Sequence, residues 1–326
     1  MQFRNLRNSN LQVSPMGLGA WAMGGEWVFI DNQAGWGKAD DAESIRAIHA
    51  ALDAGINLID TAANYGTGHS EEIVGKAIQD RRDQVVIATK FGFDVDESAK
   101  KVAYQSPEAI LQNLAFECER SLRHLGVETI DIYQLHMWEF PPERVPELLN
   151  ELEKLVTQGK IRTYGWSTDD VALARLFAAG EHCTVIQHAA NVMEPATPMF
   201  NFTAESGLTS LVRSPLLMGF LSDKYGKDVQ FTATDVRSHA FPKENIAKIV
   251  ANRAKIREIL MSNSRSVVQG ALAWLWAVDD QVVPIPGIRT VAQAQENAAA
   301  MEFGPLTPGQ MAEIEQLLGR EEAVAA

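Results

Sequence analysis

A chain of 326 residues, 46% of them hydrophobic and 22% charged, can bury a sizeable core and is neither disordered nor collagen-like. Its 29 basic and 42 acidic residues give a formal charge of −13, which repels polyanions and argues against nucleic acid, although a few backbone amides and one Arg suffice for a small phosphate. The longest apolar run, 271–278, falls short of the roughly 18 residues of a membrane span, and Met1 to Leu6 lack the apolar core of a signal peptide, so a cytoplasmic protein without membrane attachment is expected.

Eight short segments rich in Val and Ile read as strands: 15–19, 56–60, 85–90, 130–136, 161–167, 185–187, 208–214 and 282–286. Between them apolar residues recur at helical spacing, as in Ile45, Ile48 and Leu52, or Leu148, Leu152, Leu155 and Val156, or Ile249, Ile256, Ile259 and Leu260. Asp40 or Asp41, Ser106 before Pro107, and Thr307 before Pro308 mark helix starts, while Gly55, Gly126 and Gly159 close helices ahead of strands. This alternation predicts an α/β protein with one domain over 1–326, a single parallel (β/α)8 TIM barrel rather than a doubly wound sheet. Two stretches lie outside it: 1–13 reads as a short N-terminal hairpin across the barrel bottom, and 219–245, long and glycine-bearing, reads as a functional lid after the seventh strand. Only Cys118 and Cys183 are present, without CxxC or a nearby His pair, so neither a disulfide nor a metal site is expected; Cys118 falls on a helical stripe with Leu111, Leu114, Leu122 and Leu125.

In a barrel of this kind the polar residues at strand C-termini gather where loops begin. Asp60 ends the second strand, Tyr65 follows five residues later, Lys90 ends the third strand and His136 the fourth. Neighbouring strands run roughly 5 Å apart, so these side chains can converge on one point. A Lys held against an Asp places a fixed positive charge beside the phenol, which is expected to lower the Tyr65 pKa and make it a proton donor and acceptor near neutrality. A nearby imidazole can orient a carbonyl. Singly, each residue type also serves structure, capping a helix or completing a core; four at consecutive strand ends form a candidate site. The set lacks only a reductant or oxidant, which a protein takes from a cofactor.

The strings Gly55-Ile-Asn-Leu-Ile-Asp60-Thr-Ala-Ala-Asn-Tyr65-Gly66, Ser70-Glu71-Glu72-Ile73-Val74-Gly75, Ala88-Thr89-Lys90-Phe91-Gly92, Ser121-Leu122-Arg123-His124-Leu125-Gly126 and Tyr133-Gln134-Leu135-His136 resemble the aldo-keto reductase family. The likeness runs from about Gly17 to Leu318. It implies a (β/α)8 barrel, NADP(H) or less often NAD(H) as cofactor, and interconversion of a carbonyl (aldehyde, ketone or sugar) with an alcohol. Tyr65 would be the general acid and base, Lys90 and Asp60 its tuning pair, and His136 the carbonyl-orienting residue. By the same resemblance Ser167, Thr168 and Gln187 would hold the nicotinamide amide, with Thr168 standing where the family has Asn. Ser214, Pro215, Leu216, Gly219, Leu221 and Lys224 would embrace the pyrophosphate. Gly287, Arg289, Gln293, Glu296 and Asn297 would take the adenosine end, with Gly287 opening a helix N-terminus and Arg289 fitting a 2′-phosphate, which favours NADP(H).

One departure stands out. The family reads Gln-x-x-Tyr at strand six, its Tyr stacking on the nicotinamide, whereas this chain has Ala190 there. His188 is a poor substitute, because strand alternation from Gln187 points it away from the mouth. Trp21 and Trp138 should line the substrate pocket, and Trp27 or Trp36, in the 24–37 loop, can join them. Two other functions compete with the reductase: a barrel lyase using Lys90 as a Schiff base, and a nucleotide-binding redox sensor without turnover.

Overall fold

A computed structural model describes residues 2–7 and 9–320. Eight parallel strands form one sheet: β1 (Gly17–Gly19), β2 (Leu58–Asp60), β3 (Val86–Phe91), β4 (Ile130–Leu135), β5 (Ile161–Ser167), β6 (Cys183–Ala189), β7 (Thr209–Arg213) and β8 (Val282–Pro284). Each is hydrogen-bonded to its neighbour in chain order. The ring closes where Gly19 donates to the Pro286 carbonyl at 3.0 Å and accepts from Ile288 at 3.2 Å. This is the expected (β/α)8 barrel, and its strands are near-continuous apolar runs because both faces are covered.

Local signals act as their chemistry dictates. Asp40 caps Asp41–Asp53 by accepting from Glu43, Ser106 caps Pro107–Leu125, and Thr307 with Gln310 forms a capping box on Pro308–Leu318. Gly126, at φ 65°, ends its helix in the left-handed conformation that a side chain disfavours.

Arg4–Asn5 pairs antiparallel with Gln12–Val13 as the expected hairpin, although Met1 and Asn8 lie outside the described residues. Leu6, Leu11 and Val13 pack with Leu58, Val86, Ile132, Val185 and Leu211, so the hairpin plugs the bottom of the barrel. The 219–245 stretch is not all loop: Arg237–Ala240 is a short helix, and the helix Lys243–Leu260 begins before Asn245. A third sheet goes beyond what the sequence pattern predicts. Phe93–Asp96, Lys101–Tyr104, Val28–Phe29 and Asn32–Gln33 build a four-stranded flap, with Lys101–Tyr104 parallel to Val28–Phe29 and the other pairs antiparallel. Among the described residues no helix is long and apolar enough to cross a membrane. Cys118 and Cys183 are free and buried, and burial pushes both thiols up to about 12.

Candidate active site

The strand ends bring Asp60, Tyr65, Lys90 and His136 together. Register sets Gln134 of β4 beside Lys90 of β3, while Asp60 of β2 sits beside Ala88, two residues earlier on β3. Lys90 Nζ donates to Asp60 Oδ2 at 2.6 Å and to the Thr61 carbonyl at 2.8 Å, and lies 3.4 Å from the Tyr65 hydroxyl. The other Asp60 oxygen accepts from the Gln187 amide at 2.7 Å and from Gln134 at 3.3 Å. Every oxygen of this buried carboxylate is therefore engaged, as a buried charge requires. Tyr65 is held from behind by the Trp21–Gly24 turn: a Cβ on Gly24 would lie 2.6 Å from the Tyr65 carbonyl carbon, so only glycine permits this approach.

The electrostatics depart from expectation at the phenol. Burial raises the Tyr65 pKa above its ordinary value; Lys90 pulls it down but does not win. Burial opposes charge on Lys90 too, yet Asp60 and Tyr65 outweigh it and the ammonium pKa is raised. His136 is driven well below the usual histidine range by burial, then by the charges of Lys90 and Arg213, so its imidazole is neutral. Its Nδ1 faces Asn64 Oδ1 at 3.1 Å. Whichever end of that amide faces the ring selects the tautomer: oxygen keeps the proton on Nδ1, nitrogen leaves it on Nε2, where it can be donated to a carbonyl.

Asp60, Tyr65 and His136 open onto a cavity of about 1090 Å³, with Lys90 behind them. Trp21, Trp138, Trp27 and Trp36 line it. Trp21 stacks on Tyr65, 5.9 Å between ring centres, and Phe93 of the flap meets His136 edge-on at 5.3 Å. Ser167, Gln187, Ser214, Pro215, Leu216, Gly219, Lys224, Gly287, Arg289, Gln293, Glu296 and Asn297 all line the same cavity. Ser214, Leu217 and Met218 have φ of 56°, 46° and 53°, a cluster of strained non-glycine residues of the kind held at binding sites.

Some expected contacts fall elsewhere. The Thr168 hydroxyl accepts from Asp170 N at 3.1 Å within its own turn, and the residue is not on the cavity wall. The amides of Gly219 and Leu221 both donate to the Leu216 carbonyl, at 2.9 and 3.1 Å, so neither is free for an anion, and Leu221 is buried off the cavity. Gly287 does not open a helix; that helix, Val291–Phe303, starts after its cap Thr290, and its first amide donates to Glu43. His188 indeed points outward, onto Phe200 and Ser210. Arg289 donates to the carbonyls of Trp36 at 3.0 Å and Lys38 at 2.5 Å, two of the five N–H groups it carries.

Sequence reasoning missed Asn64, Arg213 and Arg237, which also line the cavity. Arg237 is paired with Asp235 at 2.6 Å and lies over the rings of Phe231, Trp36 and Tyr225. Asn64, adjacent to Tyr65, and Arg213, a polar residue near the end of the expected strand 208–214, carried a signal in the sequence; Arg237 sits in a stretch whose course a sequence does not reveal.

The profile of the Aldo/keto reductase family matches residues 15–318. The chain belongs to this family. A relative, the NADH-specific methylglyoxal reductase of Escherichia coli, is 30% identical over 91% of this chain and 93% of its own. The glycerol dehydrogenase of Gluconobacter oxydans is 32% identical with a TM-score of 0.83, covering 98% of this chain and 95% of that one. An aldo-keto reductase from Klebsiella pneumoniae, solved with NADPH, is 26% identical with a TM-score of 0.72, over 98% of this chain and 96% of that one.

This aldo/keto reductase has a cavity whose charge is opposite to its own. In a chain of net −13, the cavity wall carries Arg213, Lys224, Arg237 and Arg289 against the carboxylates Asp60 and Glu296. A Cβ added to Gly287 meets nothing within 4 Å, which leaves that wall open to a bulky ligand. A cation-lined cavity of this volume fits a dinucleotide better than a small neutral molecule alone.

Proposed function

We propose that the protein reduces aldehydes, ketones or sugars to alcohols, or runs the reverse oxidation, with NADP(H) preferred to NAD(H) and Tyr65 as general acid and base. The observation that carries this reading is the placing of the Tyr65 hydroxyl: it faces the cavity on one side and Lys90, itself fixed by Asp60, on the other. When bound, the cofactor supplies the hydride, which no side chain can provide. Ser167, Gln187, Ser214, Pro215, Leu216 and Lys224 would hold its nicotinamide and diphosphate, and Gly287, Arg289, Gln293, Glu296 and Asn297 its adenosine end. The three N–H groups that Arg289 keeps free are suited to a 2′-phosphate.

In the reduction, the carbonyl oxygen sits against Tyr65 and His136. Tyr65 gives its proton to that oxygen as negative charge develops there, and the Lys90 ammonium stabilises the phenolate left behind. His136, neutral, orients the carbonyl through Nε2 when Asn64 keeps the proton on that side. The aromatic wall of Trp21, Trp27, Phe29, Phe93 and Trp138 suits a substrate with a ring or an apolar face. A Schiff-base lyase would need a free Lys90 amine on the cavity wall, whereas Lys90 is charged, buried and bonded to Asp60. Titration with NADPH and NADH followed by a screen of aldehydes, ketones and sugars tests the proposal; absence of binding to either cofactor would overturn it.

A further inference from the structure

β6 ends at Ala189, which with the following Ala190 offers no side chain beyond Cβ, and neither residue lines the cavity. Arg213 stands beside them at the end of β7: it pairs in register with Ala189, and its carbonyl accepts from Ala190 N at 3.4 Å. Its guanidinium reaches back toward the end of β5. Nη2 is bonded to Asp169 Oδ2, and Asp169 lies two residues beyond Ser167, the last residue of β5. The same carboxylate fixes the end of β6, because Asp169 Oδ1 accepts from Ala189 N at 2.8 Å. β6 runs between β5 and β7, so the Arg213 side chain must bridge the end of β6, where it lines the cavity together with Gln187 and Ser214.

We propose that the Arg213 guanidinium, anchored by Asp169 across the end of β6, is the flat group against which the nicotinamide lies, and that its charge makes the protein bind reduced cofactor more tightly than oxidised. This rests on the reading of the cavity as a pyridine-nucleotide site. A guanidinium is planar, delocalised and weakly hydrated, so it stacks on rings as an aromatic side chain does. Unlike an aromatic side chain it is charged. The reduced nicotinamide ring is neutral and the oxidised one is a cation, so the same contact accepts the first and repels the second. Asp169 cancels part of the charge and thereby sets the strength of the discrimination. The charge of Arg213 is also felt at His136 and Tyr65, which places it within electrostatic reach of the reacting groups.

The test measures dissociation constants for NADPH and NADP⁺, and for NADH and NAD⁺, by tryptophan quenching on the wild type, Arg213→Gln and Asp169→Asn. Removing the charge should lower the ratio of oxidised to reduced dissociation constants about fivefold to tenfold, the scale of a partly neutralised charge a few ångströms away. Asp169→Asn unmasks the charge and should raise the ratio. Opposite shifts in the two variants support the assignment. An unchanged ratio in both overturns it, as does a rise confined to the KM of carboxylate-bearing substrates, which would make Arg213 an anchor for substrate. Should Arg213→Gln fail to fold, Asp169→Asn, whose side chain is more than half exposed, decides by the direction of its shift. A wild-type protein that binds neither cofactor would instead overturn the proposed function.

Discussion

Lys90 Nζ lies 3.4 Å from the Tyr65 hydroxyl and 4.9 Å from the centre of its ring, so a buried ammonium backs the phenol while the cavity fronts it. The arrangement stabilises phenolate without exposing the cation to substrate. On the proposed reading Tyr65 is the member of the quartet that gives and takes the proton at the cavity wall. Tyr65→Phe should therefore lower turnover by at least ~10²-fold with nearly unchanged cofactor affinity, measured by steady-state kinetics beside cofactor titration. Turnover near that of the wild type would remove Tyr65 from the mechanism.

Lys90→Met removes the pull that opposes burial at the phenol, and the Asp60 carboxylate left behind pushes the Tyr65 pKa further up. Alcohol oxidation needs the phenolate, so its pH optimum should move to higher pH. Loss of one partner of a buried ion pair should also cost about 3–5 kcal/mol of stability, read from urea denaturation. A pH profile that stays in place with retained activity would refute the tuning role.

Arg289→Ala probes cofactor choice. If the N–H groups not given to Trp36 and Lys38 bind a 2′-phosphate, the substitution should weaken NADPH by ~1.5 to 3 kcal/mol and NADH far less. Equal losses for both would make Arg289 purely a clasp on the 24–38 loop.

His188 governs acid stability without touching the cavity. Burial lowers its pKa to about 4, from an ordinary value of about 6.5 in the unfolded chain. Between those values the unfolded state binds the proton and the folded state does not, so stability is complete above pH ~6.5 and is lost as pH falls toward ~4, at about 1 kcal/mol per pH unit. His188→Gln keeps a hydrogen-bonding group for Ser210 and should reduce the slope of that limb of the urea midpoint between pH 4.5 and 6.5, leaving the contributions of the other shifted groups, His136, His124, Glu117 and Asp131 among them. A slope unchanged from the wild type would mean that His188 is charged in the folded protein.

The barrel was legible because its strands are buried on both faces and bounded by glycine and capping residues. The expected 15–19 and 208–214 differ from Gly17–Gly19 and Thr209–Arg213 only at their ends, where Ser214 turns to positive φ. The quartet was legible because strand ends of a barrel converge by geometry. The flap was not, although Phe93-Asp94-Val95-Asp96 alternates as a strand should, because its pairing with Val28–Phe29 joins distant parts of the chain. The same reason hid the role of Arg213, which follows from a carboxylate two strands away. The pKa of Tyr65 was misjudged because a sequence displays charges but not burial, and burial wins.

The 24–37 loop and the stretch after β7 grip each other above the cavity: Val236 donates to the Gly35 carbonyl at 2.8 Å, Trp36 bridges Asp235, and the Arg237 guanidinium lies 4.6 Å from the centre of a Trp36 ring. Lifting either one breaks these contacts, so the two are expected to open together. Cofactor exchange is then expected to wait on the parting of these contacts and to limit turnover. Replacing the transferred hydrogen by deuterium should hardly change steady-state turnover, while a single-turnover burst with pre-bound cofactor should show the full isotope effect.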